Sequence, residues 1–208
     1  PITVMFRAKT DNYSVTASMD IISQACDNDC DGDFRLQFSA NYLQCEGVSF
    51  LAFESHIGTY PFNVGDNKWH NYAYVFGENG DYSYSNIKVY VDGNEISFNC
   101  GHNWGGWNYS LPNIPMTIGK KSWGHNGHYF SGYIYNVAVF SKSLSMEMVQ
   151  EYVDYSFSGN ENDLVGYWNF NEGTGTTAED VSQNTNDGVI RLSMVHYNNS
   201  NDVENLIQ

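Results

Sequence analysis

The densest group of potential metal ligands lies in residues 26–33, which read CDNDCDGD. Carboxylates alternate with other residues there, at Asp27, Asp29, Asp31 and Asp33. Calcium takes about six to eight oxygen ligands, and alternate carboxylates in one tight loop can converge on a single cation. No basic residue follows before Arg35. We therefore predict a structural calcium ion bound by these four aspartates.

The same stretch matches only the first half of a helix–loop–helix calcium loop. Asp27 to Gly32 read D-x-D-x-D-G, but Phe38 stands where a bidentate Glu should close the site. A loop of that class is excluded. A non-helical calcium loop remains, closed by Asp33 or by a distant group such as Glu46. The alternative is a solvated hairpin tip whose carboxylates repel one another modestly in water.

A second group of oxygen ligands lies towards the end of the chain, at Asp180, Asn184, Asn186 and Asp187. It could hold a cation. Asx turns, in which these side chains bond their own backbone, explain the pattern equally well.

Two stretches carry side chains suited to a sugar: residues 101–110, GHNWGGWNYS, and residues 122–129, SWGHNGHY. Aromatic rings stack on the apolar faces of sugars, and amide and imidazole groups bond their hydroxyls. The predicted ligand-binding residues are Asn103, Trp104, Trp107, Tyr109, Trp123 and His125. The alternative is that the tryptophans of these stretches pack against the edge of the fold. Trp168 lies within a predicted strand and Trp69 directly precedes one, and both are predicted to be core residues.

The overall charge excludes some partners. The chain has 208 residues, a formal net charge of −15 and a pI of about 4.4. Such a surface repels nucleic-acid phosphates and anionic lipids, so we expect no nucleic-acid partner. No run approaches the roughly 18 apolar residues of a membrane helix, and we expect no membrane insertion.

The cysteine content indicates an oxidising compartment. The cysteines are Cys26, Cys30, Cys45 and Cys100, which allow three pairings. We favour Cys26–Cys30 with Cys45–Cys100, which by loop entropy would contribute about 2 and about 4 kcal/mol. A zinc site is disfavoured because no second cysteine pair accompanies the first. The predicted location is extracellular, at a cell surface or a virion surface.

Elements that position these residues are mostly strands, because apolar and polar residues alternate along much of the chain. Predicted strands cover residues 2–9, 19–25, 34–38, 48–54, 70–76, 87–91, 95–98, 116–119, 132–140 and 164–170. Asp92-Gly93 is a tight-turn signal. Residues 143–153 have helical spacing, with Ser145 as the N-cap. The predicted fold class is all-β: a two-sheet antiparallel jelly-roll sandwich with one short helix.

Several segments resemble one superfamily when they are taken in order. They are residues 66–76, DNKWHNYAYVF; residues 87–93, IKVYVDG; residues 118–119, IG; and residues 130–141, FSGYIYNVAVFS. In this order, followed by the helix, they resemble laminin G-like and pentraxin-like modules of the concanavalin A-like lectin/glucanase superfamily. The resemblance implies a β-sandwich that serves recognition, often with calcium.

Residues 164–177, LVGYWNFNEGTGTT, resemble the segment that usually opens such a module, although here they stand near the end. Terminal strands of this fold lie side by side, so a permuted order can close the same sandwich. We predict one domain over residues 1–208, with a permuted closing strand at 164–170. The alternative is that residues 164–208 begin a second, truncated module.

The sequence lacks a recognisable catalytic pattern. Retaining glycosidases need two carboxylates about 5 Å apart, and the Glu-x-Asp-x-x-Glu run of the related glucanases is missing, as is Gly-x-Ser-x-Gly. We predict a non-catalytic extracellular recognition or adhesion module, carbohydrate-binding, with a calcium-stabilised loop. Its partner would be a glycan or a cell-surface protein, within a larger multidomain or multimeric assembly. The alternatives are a structural protein–protein interaction module of a surface protein or virion fibre, and a glycoside hydrolase.

Overall fold

The structure is a computed structural model that describes residues 1–10, 19–24, 34–40, 48–52, 55–60, 64–77, 86–97, 100–102, 115–120 and 129–191. These residues form fourteen strands and one helix. The strands are β1 (Ile2–Lys9), β2 (Met19–Gln24), β3 (Phe34–Ala40), β4 (Val48–Ala52), β5 (Ser55–Tyr60), β6 (His70–Phe76), β7 (Lys88–Val91), β8 (Asn94–Glu95), β9 (Cys100–His102), β10 (Thr117–Ile118), β11 (Tyr133–Phe140), β12 (Leu164–Trp168), β13 (Thr177–Ala178) and β14 (Gly188–Val189). The helix is α1 (Met146–Tyr152).

The strands build two six-stranded sheets and a small ribbon. The first sheet has the order β12-β11-β1-β6-β7-β8, the second has the order β10-β2-β3-β4-β5-β9, and β13 pairs with β14. Every pairing is antiparallel. The predicted fold class, a two-sheet antiparallel sandwich with one short helix, is confirmed.

Aromatic side chains fill the space between the two sheets. Phe6 of the first sheet stacks on Tyr72 of the same sheet at 5.0 Å between ring centroids. Phe38 of the second sheet lies 5.0 Å from Tyr72 and 6.3 Å from Phe6. Burial of such rings removes a large apolar area from water, so this layer stabilises the packing of the two sheets.

The tight turn predicted at Asp92-Gly93 joins β7 to β8. Both residues have positive φ, 49° at Asp92 and 76° at Gly93. Two consecutive residues of this kind match the right-handed twist of a hairpin, which is why a small polar residue followed by glycine is favoured there. Only Asn94 and Glu95 continue as a strand, fewer residues than predicted.

The predicted helix is also confirmed. Ser145 is its N-cap, and the Ser145 hydroxyl accepts a hydrogen bond from the backbone N–H of Met148. Val149 and Leu144 turn towards the outer face of the first sheet, where they form a second buried layer with Phe140 and Tyr167. This helix covers only part of that face, and the part that it does not cover carries exposed aromatic side chains.

Strand β12 is the edge strand of the first sheet and pairs with β11, with Val137 opposite Trp168. Trp168 joins the core between the sheets, while Leu164 and Tyr167 join the layer beneath the helix. The strand predicted over residues 164–170 is present over Leu164–Trp168, as part of this sheet. The single-domain span of residues 1–208 stays a prediction.

Candidate functional site

The outer face of the first sheet is divided into a covered part and an open part. Along β1, Phe6 and Ala8 point into the core, so Met5, Arg7 and Lys9 face outwards. Met5 is buried in the layer beneath α1, whereas Arg7 and Lys9 are only half-buried. The sheet therefore presents two basic side chains beyond the end of the helical cover.

Three aromatic side chains stand around these cations. Trp69 immediately precedes β6, and Tyr133 and Tyr135 lie on β11. The Trp69 ring meets both tyrosine rings edge to face, with centroids 6.4 Å apart for Tyr133 and 6.0 Å apart for Tyr135. Trp69 is 37% exposed, Tyr135 47% and Tyr133 60%. We call the set Arg7, Lys9, Trp69, Tyr133 and Tyr135 the aromatic platform.

Each cation of the platform lies over two rings. Lys9 Nζ is 4.8 Å from the Tyr133 centroid and 5.4 Å from the Trp69 centroid. Arg7 Cζ is 5.6 Å from the Tyr135 centroid and 6.0 Å from the Trp69 centroid. Exposed contacts of this kind contribute about 0.5–1 kcal/mol each. The cations and rings therefore hold one another in place at the surface.

A β-bulge sets the direction of Tyr135. Arg7 pairs with Asn136 and Ala8 pairs with Ile134, which leaves Tyr135 as an extra residue between two registered pairs. The Arg7 backbone N–H donates instead to Asn136 Oδ1 at 3.1 Å. Bulges commonly re-aim a side chain at a sheet surface. Here the bulge leaves Tyr135 exposed beside the Arg7 guanidinium.

A buried histidine fixes the segment that carries Trp69. His70 Nδ1 lies 2.7 Å from Asp92 Oδ2, and His70 Nε2 lies 3.3 Å from Asp66 Oδ1. The other Asp92 oxygen accepts a hydrogen bond from the Asn71 N–H at 2.9 Å. Desolvation raises the pKa of Asp66, but hydrogen bonds from a backbone N–H and from His70 outweigh it and leave that pKa below its ordinary value. The paired contacts hold both ends of the Trp69 segment against the β7–β8 turn.

The start of β11 is held close to the end of β1. Gly132 has a φ of 148°, and a Cβ atom at this position would overlap the carbonyl oxygen of Lys9. Thr10 Oγ1 donates a hydrogen bond to the Ser131 carbonyl. Only glycine allows such an approach. The result is that Lys9 and Tyr133 fall opposite each other in the sheet register.

A small cleft of about 70 Å³ adjoins the platform. Arg7, Asn71 and Tyr135 line it on the sheet side, and Asp154 and Ser156 line it on the side that follows α1. Its volume suits one polar substituent of a larger ligand rather than a whole sugar ring. Platform and cleft together give a flat aromatic surface with polar groups at its border.

The second sheet carries a different polar surface on its face away from the core. Arg35 and Gln37 alternate with core residues on β3, and Asp20 lies opposite Gln37 on β2. These three side chains are 7%, 3% and 0% exposed, respectively. Because they are enclosed, a ligand reaches them less readily than it reaches the platform. We therefore take the platform as the candidate site.

The residues predicted for metal and ligand binding fall outside the described part of the chain. This holds for Asp27, Asp29, Asp31 and Asp33, and for Asn103, Trp104, Trp107, Tyr109, Trp123 and His125. It also holds for Cys26, Cys30 and Cys45, while the fourth cysteine, Cys100, is described only by its place in β9. Strands β2 and β3 pair with Gln24 opposite Phe34, so the acidic stretch connects two neighbouring strands, as predicted.

The prediction that Trp69 is a core residue is wrong, and the same prediction for Trp168 is confirmed. Both stand in alternating sequence, but alternation alone does not tell which face is covered. Trp69 lies on the outer face beyond the helix, so it is exposed. The sequence did contain a usable signal. Arg7 and Lys9 are two residues apart on β1 and so point to the same face of the sheet, which indicates that this face is solvent-exposed near the end of the strand.

The second oxygen cluster is a hydrogen-bonded turn. Asp180 Oδ1 accepts from the backbone N–H groups of Tyr167 and Ser182, at 2.8 and 2.9 Å. Asp180 Oδ2 accepts from the Ser182 hydroxyl and the Asn186 N–H, at 2.9 and 2.8 Å. Asp187 Oδ1 accepts from the Asp180 N–H at 2.9 Å. Four hydrogen-bond donors satisfy the two oxygens of the Asp180 carboxylate. The Asx-turn interpretation therefore accounts for this cluster without a bound cation.

Two negative findings apply to the described residues alone. Among them, no group of three or more His, Cys, Asp or Glu side chains is placed to hold a metal ion. None of their helices has the length and apolar character needed to cross a membrane.

Comparison with known proteins places the fold. A family model of the laminin G type, described as concanavalin A-like lectin/glucanases superfamily, matches residues 1–150. The chain belongs to the concanavalin A-like lectin/glucanase superfamily. The resemblance predicted from the sequence segments is thereby confirmed, and the platform of this superfamily member lies wholly within the matched residues. No curated protein sequence matches the chain.

Several solved structures resemble the chain at low sequence identity. A Bacteroides ovatus protein described as carbohydrate binding matches with a TM-score of 0.61 and 13% identity, over 92% of this chain and 54% of its own. The chain thus spans about half the length of that protein. Domains LG4-5 of mouse laminin α1 match with a TM-score of 0.44 and 17% identity, over 70% of this chain and 37% of theirs. The SAP-like pentraxin of Limulus polyphemus matches with a TM-score of 0.41 and 13% identity, over 73% of this chain and 69% of its own.

Proposed function

We propose that the chain is a non-catalytic carbohydrate-binding module and that its aromatic platform contacts the sugar. The observation that carries this proposal is the exposure of three aromatic rings side by side on a rigid sheet face. Solvent-exposed tryptophan and tyrosine rings offer apolar area for the C–H face of a sugar, at small conformational cost. Membership of a lectin and glucanase superfamily supports the same ligand class.

The composition of the platform favours binding over hydrolysis. Its members are three aromatic and two basic side chains, with the Asn71 amide at the border. Most glycoside hydrolases require a pair of carboxylates, one on each side of the scissile bond. Arg7, Lys9 and Asn71 can donate hydrogen bonds to hydroxyl groups but cannot act as that pair. The arrangement therefore serves recognition.

Further parts of the proposal rest on the sequence. We propose an extracellular, cell-surface or virion-surface location, within a larger multidomain or multimeric assembly. We also propose that residues 1–208 form one domain, which the pairing of β12 with β11 supports. Calcium bound by the aspartates of residues 26–33 would stabilise a loop. The tryptophan-bearing residues 101–110 and 122–129 would form a second contact with the glycan.

Glycan binding by platform variants tests the proposal. Trp69→Ala and Tyr133→Ala each remove an exposed ring. We expect the double variant to lose at least about tenfold in affinity, because an aromatic contact contributes more free energy than its buried apolar area alone would give. Binding is measured on a glycan array and then by calorimetry with the best ligand. Retention of full affinity by the double variant would overturn the role of the platform.

A control separates the platform from apolar exposure in general. Met146 on α1 is 43% exposed and lines neither the platform nor the cleft, so Met146→Ala should bind glycans as the unchanged protein does. Trp104→Ala with Trp107→Ala tests the second contact independently. Loss of binding in that variant alone would move the ligand site from the platform to residues 101–110.

A further inference from the structure

We infer that the platform selects sugars that carry a carboxylate or a sulfate group, and that Arg7 and Lys9 receive this anion. The inference rests on the proposed carbohydrate function and adds the charge of the ligand. It concerns a surface that faces outwards from the first sheet, away from the core between the sheets.

The first argument is that neither platform cation forms a salt bridge with a carboxylate of the described residues. The chain carries 24 acidic and 9 basic residues apart from histidine, so carboxylates are abundant. Lys68 and Lys142 each lie within 4.0 Å of one, Asp66 and Asp163 respectively. Within the described part of the chain, the Arg7 and Lys9 side chains lie against the platform rings and form no salt bridge. Among the described residues these two cations are thus left without a salt bridge in a strongly acidic protein, although Asp154 lines the same cleft as Arg7.

The second argument is an unmet hydrogen-bond donor. Arg7 Nε is buried and has no hydrogen-bond partner among the described residues. A buried donor without a partner costs free energy, and a charged donor costs more than a neutral one. Arg7 also lines the cleft that adjoins the platform. The buried Nε leaves the guanidinium incompletely satisfied by the protein, and an oxyanion that reaches the half-exposed part of Arg7 would add a charge-assisted hydrogen bond.

The third argument is geometric. Arg7 Cζ and Lys9 Nζ lie 6.0 and 5.4 Å from the centroid of the same Trp69 ring. A sugar ring that stacks on the exposed part of Trp69 therefore carries its substituents to within reach of one or both cations. A neutral sugar would use only the aromatic area, whereas an acidic sugar would use the rings and the charges together.

The acidic residues elsewhere on the chain repel an anionic ligand at the platform only weakly, because they lie far from it. Charges are screened beyond about 8 Å at physiological ionic strength. The ligand at the platform therefore experiences mainly the nearest charges, which are the two platform cations, the Lys68–Asp66 pair beside Trp69 and Asp154 of the cleft. Binding should consequently weaken as salt concentration rises, because the nearby cations are themselves exposed in part.

The experiment compares acidic and neutral ligands on matched variants of the full chain. The probes are an oligouronate, a sulfated oligosaccharide, and neutral oligosaccharides of the same backbones. Lys9→Gln and the double variant Arg7→Gln with Lys9→Gln remove platform charge. Lys68→Gln removes the same charge next to Trp69, but from a lysine already paired with Asp66. Thermal melting checks folding, and Lys9→Gln serves alone if the double variant is unfolded.

We expect the unchanged protein to prefer an acidic probe by at least tenfold. Lys9→Gln and the double variant should lose this preference, so that acidic and neutral probes bind to them equally well, while Lys68→Gln should retain the preference. Whether the oligouronate or the sulfated probe binds more tightly identifies the anion. Equal binding of acidic and neutral probes, or an equal loss in Lys68→Gln, would overturn the inference while leaving the proposed function intact. Absence of binding to every probe and array glycan would instead remove the proposed function.

Discussion

Lys9 Nζ lies 4.8 Å from the ring centroid of Tyr133, and the two residues are opposite one another in the pairing of β1 with β11. They come from distant parts of the chain, and the sheet brings them together. Trp69, which precedes β6 on the other side of β1, completes the group. A central strand flanked by its two neighbours thus supplies the complete platform, and its geometry depends on how closely these strands are held.

Gly132→Ala tests that dependence. The added Cβ would overlap the Lys9 carbonyl oxygen, and a φ of 148° disfavours any side chain. We expect the free energy of unfolding to fall by about 2–3 kcal/mol or more, since strain of this kind costs about 1–3 kcal/mol and the clash adds to it. Chemical denaturation measures the change. Gly173→Ala is the control, because Gly173 also has a positive φ of 69° but nothing lies within 4 Å of the added Cβ. A similar small loss in both variants would show that close strand approach is unimportant.

Asp180→Asn tests the turn that follows β12. The Asp180 carboxylate is buried and accepts four hydrogen bonds, and an amide can accept at only one of the two positions. We expect a loss of about 2–3 kcal/mol in the free energy of unfolding, the range for hydrogen bonds to a charged group and their unmet donors. Asp163→Asn is the matched control, because the Asp163 side chain is 46% exposed and should change stability by less than about 0.5 kcal/mol. Equal effects of the two substitutions would contradict the proposed role of Asp180.

The same carboxylate should make stability depend on pH in the acid range. Desolvation raises the pKa of Asp180, but the hydrogen bonds from Tyr167, Asn186 and Ser182 outweigh it and leave the pKa below its ordinary value. A lowered folded-state pKa stabilises the protein above the unfolded value of about 3.9, and this contribution is lost as pH falls through the folded-state value. Melting temperatures from pH 6 to pH 2 should therefore fall less steeply in Asp180→Asn than in the unchanged protein, with the difference arising below about pH 4. Parallel curves would show that Asp180 does not contribute.

Removal of residues 164–208 tests whether the chain is one domain. The truncated chain loses Trp168, which is buried in the core between the sheets, and Leu164 and Tyr167, which are buried in the layer beneath α1. Loss of one large core side chain typically costs about 2–5 kcal/mol, and a whole domain has only about 5–15 kcal/mol of stability. We expect residues 1–163 to show no cooperative unfolding transition. A chain of residues 1–191 is the control and should melt cooperatively. A truncated chain that melts like the control would favour a second module beginning near residue 164.

Calcium dependence tests the acidic stretch. A ligand that binds only the folded state stabilises it, by about 2.7 kcal/mol at a concentration of 100 times its Kd. We expect the melting temperature to rise with calcium and fall with chelator, and Asp29→Asn with Asp31→Asn to abolish the difference. Asp163→Asn should keep it. A melting temperature that is unchanged by calcium in the unchanged protein would rule out a strong site.

Local patterns predicted much of the fold because they report properties of short segments. Alternation along β1 and β11, the Ser145 cap of α1 and the Asp92-Gly93 turn all have causes within a few residues. Their presence in the structure follows from backbone geometry and from capping of free N–H groups. Strand β5 was missed, because the strand predicted up to residue 54 ends at Ala52 and pairing resumes at Ser55.

The sequence by itself determined the sandwich, the helix and the family, since each is encoded in periodicity and in segments whose order is visible along the chain. Only the tertiary structure decided that Trp69 faces solvent, that Tyr135 occupies a bulge and that Asp180 is filled by four donors. Those facts depend on which strands become neighbours and on how far α1 extends over the outer face. The platform arises from β1, β6 and β11 together, and a contact between residues as distant as Lys9 and Tyr133 has no local signature.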